Sequence, residues 1–364
     1  MLSQRQDKTI VGLDIEAGGL AATELRVNGS ARVSKHGIAA LEPGVFQDGE
    51  VVDIDALGEA LKELFSRHKL SRNVRLGIAN QRVAVRTIEL PAIENADELE
   101  TAIRFTAQDH IPMPLEQAVL DWEVVAHTEN EQGERRLRVV VAAARRDMLG
   151  KMLEAMDRAN LRPIGIDVSA FGMIRALAPH DSAPPVFTGH VAGEEPPAQP
   201  PAAKLYCNLG DAVNLAVAEG TACLFTRVSS FGIEGIAQRL AERRRLTLEH
   251  ARQWLQHVGL TAPVEEIEGD PEIVTAAREA LLEGIGKLVD ELRLSLEYYG
   301  TQDGALPVEG VVVTGPGSTI PGLVDHLQMQ LGYAFTVGRP EALSHLDGPL
   351  AARLTLSYGL ALEE

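Results

Sequence analysis

Apolar positions along the chain follow two periods, and the switches between them divide it into strands and helices. Runs rich in β-branched residues, or alternating apolar and polar, predict strands over residues 9–15, Ala21–Val27, Val33–Ala40, Val74–Ala79, Val83–Leu90, Leu120–His127, Arg136–Ala144 and Arg162–Val168. Apolar residues three and four apart predict helices over Ala56–His68, Ala96–His110, Met148–Ala159 and Ala170–Leu177. Asp53 or Asp55 caps the first, and Asn95 or Asp97 the second. Leu99, Ile103, Phe105 and Ala107 supply the apolar positions of the second helix, which Pro112 and Pro114 stop.

After a proline-rich stretch, 179–203, read as a flexible linker, the series starts again. Strands are predicted over Leu205–Leu209, Ala212–Ala218, Thr221–Arg227, Gly310–Thr314 and Ala334–Val337. Helices are predicted over Gly235–Arg245, Thr247–Val258, Ile273–Tyr299, Leu323–Leu331 and Ala351–Ala361. Both series open on strand, turn, strand, which is an internal duplication of architecture.

Three turns carry the candidate chemistry. Asp14 is followed by Gly18 and Gly19, Asn208 by Gly210 and Asp211, and Thr314 by Gly315, Gly317 and Ser318. A glycine-rich turn between a strand and a helix aims backbone N–H groups and the positive end of a helix dipole at one point, which suits a phosphate. Two such halves fit a nucleotide clamp. In it Asp14 is the candidate carboxylate for magnesium, and Asn208 or Asp211 stands in the second turn.

Composition narrows the choices. The 364 residues exceed one compact core, and an apolar fraction of 45% supports ordinary globular domains. A formal charge of −18 argues against a non-specific grip on nucleic acid or on anionic lipid. The only two cysteines, Cys207 and Cys223, lie in apolar runs and read as buried thiols. Met1–Lys8 is polar, and no stretch approaches the ~20 apolar residues of a membrane span. A cytoplasmic protein is expected, reaching the inner face of the membrane only through a partner. Asp53 with Asp55 reads as capping rather than a metal pair, Arg243–Arg245 and Glu265–Asp270 as solvated faces, and Trp122 as core. The ten histidines have no metal-ligand spacing.

The most specific pattern is Ile88-Glu89-Leu90-Pro91, then Glu98–Arg104, Ile111-Pro112-Met113-Pro114-Leu115-Glu116 and Leu120-Asp121. With Asp48–Asp53, Phe225–Arg227 and Ile320–Leu323, it resembles the PilM family of actin-like type IV pilus assembly proteins, relatives of the FtsA division proteins. The resemblance runs from about Ile10 to Gly359. It implies an α/β, actin-like ATPase fold of two halves with duplicated mixed sheets. Subdomain 1A would be residues 1–85 with 164–178 and 345–364, and the inserted subdomain 1C residues 86–163. Subdomain 2A would be 204–238 with 305–344, and 2B 239–304. The resemblance also implies ATP with magnesium between the halves, and a groove near 1A and 1C. That groove takes the N-terminal cytoplasmic tail of a PilN-like membrane protein, with Leu90, Pro91, Ile111 and Pro112 as candidate contacts. Other pilus assembly proteins and a homo-oligomer are further expected partners.

The chain departs from the family at the turns. Glu16 replaces a glycine, Ala17-Gly18 replace hydroxyl residues, and Ala21-Ala22 stand where a lysine is expected. Asn208 replaces an aspartate, Pro316 interrupts the third turn, and the helix at Glu249–Leu255 lacks the usual Glu and Lys. Two readings follow. One is an assembly scaffold, of pili or a related secretion system, with nucleotide binding weakened or lost. The other is an active Mg-ATP-dependent ATPase using Asp14, Gly18, Gly19, Asn208, Gly210, Asp211, Gly315, Gly317 and Ser318. An FtsA-like division protein is a third, which the short acidic end Leu356–Glu364 disfavours.

Overall fold

The computed structural model describes residues 8–27, 31–129, 133–181, 202–229, 231–302 and 304–362. The first half runs β1 (Lys8–Glu16), β2 (Gly19–Val27), β3 (Ala31–Ala40), the short pair β4 (Phe46–Gln47) and β5 (Glu50–Val51), α1 (Ile54–His68) and β6 (Asn73–Ile78). It continues through β7 (Ala84–Pro91), α2 (Ala96–His110), β8 (Ala118–Glu129), β9 (Arg135–Arg145), α3 (Arg146–Arg158), β10 (Arg162–Val168) and α4 (Ser169–Asp181). The second half runs β11 (Ala203–Leu209), β12 (Val213–Glu219), β13 (Ala222–Ser229), α5 (Ile233–Arg244), α6 (Leu248–Val258) and α7 (Pro271–Gly300). It ends with β14 (Val308–Thr314), α8 (Leu323–Leu331), β15 (Ala334–Val337) and α9 (Gly348–Ala361).

The duplication is visible in the sheets. One has the order β10-β6-β1-β2-β3 and the other β13-β12-β11-β14-β15. In each, two antiparallel hairpin ladders lead out from the opening strand, and two parallel pairings lie on its other side. Helix caps follow the sequence: Asp53 accepts the Ala56 N–H at 2.9 Å, Asn95 accepts from Asp97 and Glu98, and Asp347 caps α9.

Each sheet is covered on one face by its own helices. Val11, Leu13 and Ile15 of β1 bury against Leu57, Leu61 and Leu64 of α1 and Met148, Met152 and Met156 of α3. Leu205, Cys207 and Leu209 of β11 bury against α5, α6 and α7. The opposite faces share a third core, in which Ala21, Leu25, Tyr206, Ala216 and Val312 meet α4 and α9. Helix α9 is thus enclosed, with Leu354 and Leu360 fully buried. Each such leucine stabilises by roughly 2 kcal/mol.

Strands β7, β9 and β8 form a separate three-stranded sheet with α2 on its inner face. Pro91 ends β7, paired with Arg136. Two local expectations change. Phe105 is 73% exposed, while Leu99, Ile103 and Ala107 are buried. Helix α3 joins the core of the first sheet rather than that of the insertion, because its methionines pack on α1. Of the expected linker 179–203, residues 182–201 lie outside the described residues, whereas Pro179 to Asp181 continue α4 and Ala203 opens β11.

Candidate functional site

The β1–β2 turn and the β11–β12 turn face one another across a cleft of about 300 Å³, lined by Asp14, Glu16, Ala17, Asn208, Asp211, Asn214, Glu234 and their neighbours. The loop after β14 closes on Asn208 from behind. Sequence neighbours decide which side chains point inward. The odd-numbered positions Val11, Leu13 and Ile15 belong to the first core, so Asp14 and Glu16 fall on the opposite face of β1.

The chain's own charges fill this space. Asp14 Oδ2 accepts a hydrogen bond from Arg353 Nη1 at 2.7 Å, and the same nitrogen lies 3.5 Å from Glu16 Oε2. Arg353 Nη2 donates to the Gly19 carbonyl at 2.9 Å. Asn208 Nδ2 donates to Glu16 Oε1 at 3.1 Å. The Gly18 N–H donates to Asp211 Oδ2, tying the two turns directly. Beside them Glu234 receives both Nε and Nη2 of Arg252, at 2.9 and 2.6 Å.

Two glycines of the turns are small because these side chains crowd them. A Cβ on Gly210 would strike Glu16 Oε1, and one on Gly315, whose φ is 83°, would strike Asn208 Oδ1. Ser318 turns back on its own loop, its Oγ donating to the Gly315 carbonyl at 2.7 Å. Gly317 packs on Ile233 and Leu209, and Gly19 on the Ala39 backbone. Of the nine sequence-predicted nucleotide residues, Asp14, Gly18, Asn208, Gly210 and Asp211 therefore converge around one ion cluster. Gly19 contributes its carbonyl, and the Gly315–Ser318 loop buttresses Asn208.

Burial dominates the electrostatics. It raises the Asp14 carboxyl above its ordinary value despite Arg353, and pushes Glu16 up to about 8. Glu234 is raised by burial as well, against the pull of Arg252. Arg353 in turn is held charged by Glu16, Asp14 and Asp211.

This arrangement is a poor match to a magnesium–triphosphate. Four carboxylates face the cleft, Arg353 and Arg252 already hold three of them, and the Gly18 amide faces the fourth, Asp211. Two features run the other way. Asn214 is 3% exposed and neither amide atom has a partner among the described residues, nor has the Thr314 hydroxyl. Both stand in register with Asn208, making a polar row across β12, β11 and β14.

Sequence reasoning missed Arg353, Arg252 and Glu234. The available signal was a single arginine inside an otherwise apolar helix, Leu350-Ala351-Ala352-Arg353-Leu354.

A second concavity, of about 540 Å³ and mostly apolar, lies between the three-stranded sheet, α4 and the β12–β13 turn. Its walls are Asp121, Glu123 and Val125 of β8, Val140 and Ala142 of β9, Phe171, Ile174 and Arg175 of α4, the β12–β13 turn and Leu362. Arg175 is anchored to Asp167 and to the Gly359 carbonyl. Trp122, expected in the core, packs against the inner cluster of the three-stranded sheet and also touches this groove. The four expected partner contacts lie elsewhere. Leu90 and Ile111 are buried in the small core beneath α2, and Pro91 and Pro112 are exposed outside the groove lining.

Comparison with known proteins agrees with this architecture. The family model of the type IV pilus assembly protein PilM matches residues 12–192. A solved PilM–PilN type IV pilus biogenesis complex is similar at 26% identity and a TM-score of 0.77, over 97% of each chain. The ethanolamine utilization protein EutJ from Carboxydothermus hydrogenoformans is similar at 13% identity and a TM-score of 0.51, over 97% of this chain and 89% of that one. MreB 5 of Spiroplasma citri, bound to AMPPNP, is similar at 12% identity and a TM-score of 0.50, over 97% and 94%. The last two likenesses concern the fold alone, which is the actin-like ATPase fold. The two sheets of one topology, the inserted three-stranded sheet and the matched segment together place the chain: it belongs to the PilM family of type IV pilus assembly proteins.

Proposed function

We propose that the protein is an actin-like scaffold of type IV pilus assembly that captures the N-terminal cytoplasmic segment of a PilN-like membrane protein. Capture uses the groove between the outer face of β8–β9 and α4. The observation that carries this reading is the groove itself: an open apolar concavity with a charged rim, where the inserted sheet meets α4 and the β12–β13 turn. No helix among the described residues is long and apolar enough to cross a membrane, so the reading has the partner supply the anchor at the cytoplasmic face. Nucleotide control is weakened or lost, because Arg353, Asn208 and Asp211 hold the turns that would otherwise grip phosphate.

Isothermal calorimetry with the N-terminal peptide of the PilN-like partner tests the capture. Saturable binding, equal with and without Mg-ATP, is the expected outcome, and absence of binding under both conditions overturns it. The second reading, a Mg-ATP-dependent ATPase, is favoured by the unpartnered Asn214 amide and Thr314 hydroxyl beside the cleft. A ligand at a hundred times its Kd stabilises by about 2.7 kcal/mol, so millimolar Mg-ATP would raise the melting temperature by several degrees. Such a rise would replace the first reading of the cleft with the second.

A further inference from the structure

Strand β8 lies at the edge of its sheet, in the order β7-β9-β8. It is 12 residues long and among the described residues pairs only with β9. The ladder slips between Val124 and Ala126, which leaves Val125 as a bulge. From Val119 to Val124 the outer edge is therefore a regular run of unpaired backbone. Proteins usually blunt such an edge with charged side chains, proline, a bulge or short length; here the bulge stands at one end of the run and every charge is acidic, which leaves the edge open to a basic segment. The β8 sequence AVLDWEVVAHTE contains no lysine, arginine or proline and carries Asp121, Glu123 and Glu129.

Asp121 and Glu123 stand two apart, on the face of β8 that looks into the groove. Asp121 Oδ1 accepts only the Trp122 N–H, at 2.9 Å, and no ion pair among the described residues includes either carboxylate. Beyond them the same wall turns apolar, through Val140 and Ala142, with Phe171 opposite. An occupant that pairs with this edge and presents cations to the two carboxylates would satisfy both features. A second copy of β8 would not. Antiparallel self-pairing brings the same carboxylates face to face, and like charges directly opposed destabilise a ladder.

We infer that the captured segment adds to β8 as a fourth strand along Val119–Val124. Its basic side chains meet Asp121 and Glu123, and the neighbouring apolar side chains on that face reach over Val140 toward Phe171. This rests on the proposed capture and specifies its mode: main-chain hydrogen bonds supply affinity, and alternate side chains supply selection. Six residues of strand span about 20 Å, so a short extended segment suffices.

The test uses the full chain and synthetic N-terminal peptides of the PilN-like partner, with backbone N-methyl groups at alternate positions. Strand addition makes one parity of amides donors to β8 and leaves the other facing away. One methylated set should lose about tenfold or more in affinity, as removal of an intermolecular hydrogen bond with a clash requires, and the other should bind like the parent. In the protein, Asp121→Lys with Glu123→Lys should weaken the parent peptide by about tenfold, and a peptide with its basic residues changed to glutamate should regain the loss. Both residues are exposed, so an unchanged melting temperature confirms an intact fold. Equal binding of both methylated sets, or indifference to charge reversal, overturns strand addition while leaving the capture standing. Failure of the unmodified peptide to bind overturns both.

Discussion

Replacing Arg353 with alanine isolates the ion cluster in the cleft. The guanidinium is 15% exposed and its near carboxylate, Asp14, 4%. It donates to Asp14 Oδ2 at 2.7 Å and to the Gly19 carbonyl at 2.9 Å, and lies 3.5 Å from Glu16. Removing one partner of a buried pair leaves the other charge desolvated and uncompensated, at about 3–5 kcal/mol. Asn208 still donates to Glu16, and water can enter the cavity left behind, so the lower end applies: about 3 kcal/mol. For a chain of 364 residues that corresponds to a drop of roughly 4 °C in melting temperature. Scanning calorimetry near neutral pH measures it. The diagnostic control adds Asp14→Asn and Glu16→Gln to Arg353→Ala, which removes the uncompensated charges and should recover at least half of the loss. A single variant melting within a degree of the parent, or a triple variant worse than the single, would refute the view that Arg353 serves as the cleft's internal counter-ion.

The same cluster predicts a pH effect. Burial raises Glu16 from an ordinary 4.5 to about 8, so the folded state holds its proton more tightly than the unfolded state. Its stabilising contribution is therefore full below about pH 4.5 and is lost as pH rises through about 8. Glu16→Gln should match the parent's melting temperature near pH 5 and exceed it near pH 8.5, and parallel profiles would contradict this. Asn208→Asp places a second carboxylate 3.1 Å from Glu16 and should lower the melting temperature by several degrees, more at pH 8 than at pH 6. Val140→Asp, on the groove floor, should abolish peptide binding without changing the melting temperature by more than about 2 °C, since Val140 is only half-buried. Cys223 lines that groove, but burial pushes its thiol up to about 12, so iodoacetamide should label native protein only slowly at pH 7.5, and the bound peptide should slow it further.

Much of the fold was legible because burial imposes a period. Strand and helix positions came from alternation and from three–four spacing, and their boundaries moved by only a few residues. Phe105 shows the limit of counting apolar residues. It lies two positions from Ile103, about 200° around the helix, so it cannot share the face of Leu99, Ile103 and Ala107. The turns were found for a related reason, since glycine and aspartate mark them locally. What fills them was hidden, because Arg353 reaches Asp14 across 339 positions and no period records a pairing of that range. The segment most diagnostic of the family marks the inserted sheet rather than the groove. Leu90 and Ile111 hold the inserted sheet together from inside, while the groove is built by the outward residues of β8 and β9.

Helix α9 has a consequence for how the molecule assembles. It covers the second face of β1 and β2, where Ser357 Oγ meets Thr23 Oγ1 at 2.7 Å, and it fills the layer between the two sheets. The earliest strands are thus completed by residues more than 330 positions later. Closing so long a loop is entropically slow, and until it closes the chain exposes Ala21 and Leu25 beside two unneutralised carboxylates. The rate-limiting step of folding should therefore be the docking of α9. Chains cut before Gly348 should form the α1–α3 side of the first sheet and yet aggregate through its other face.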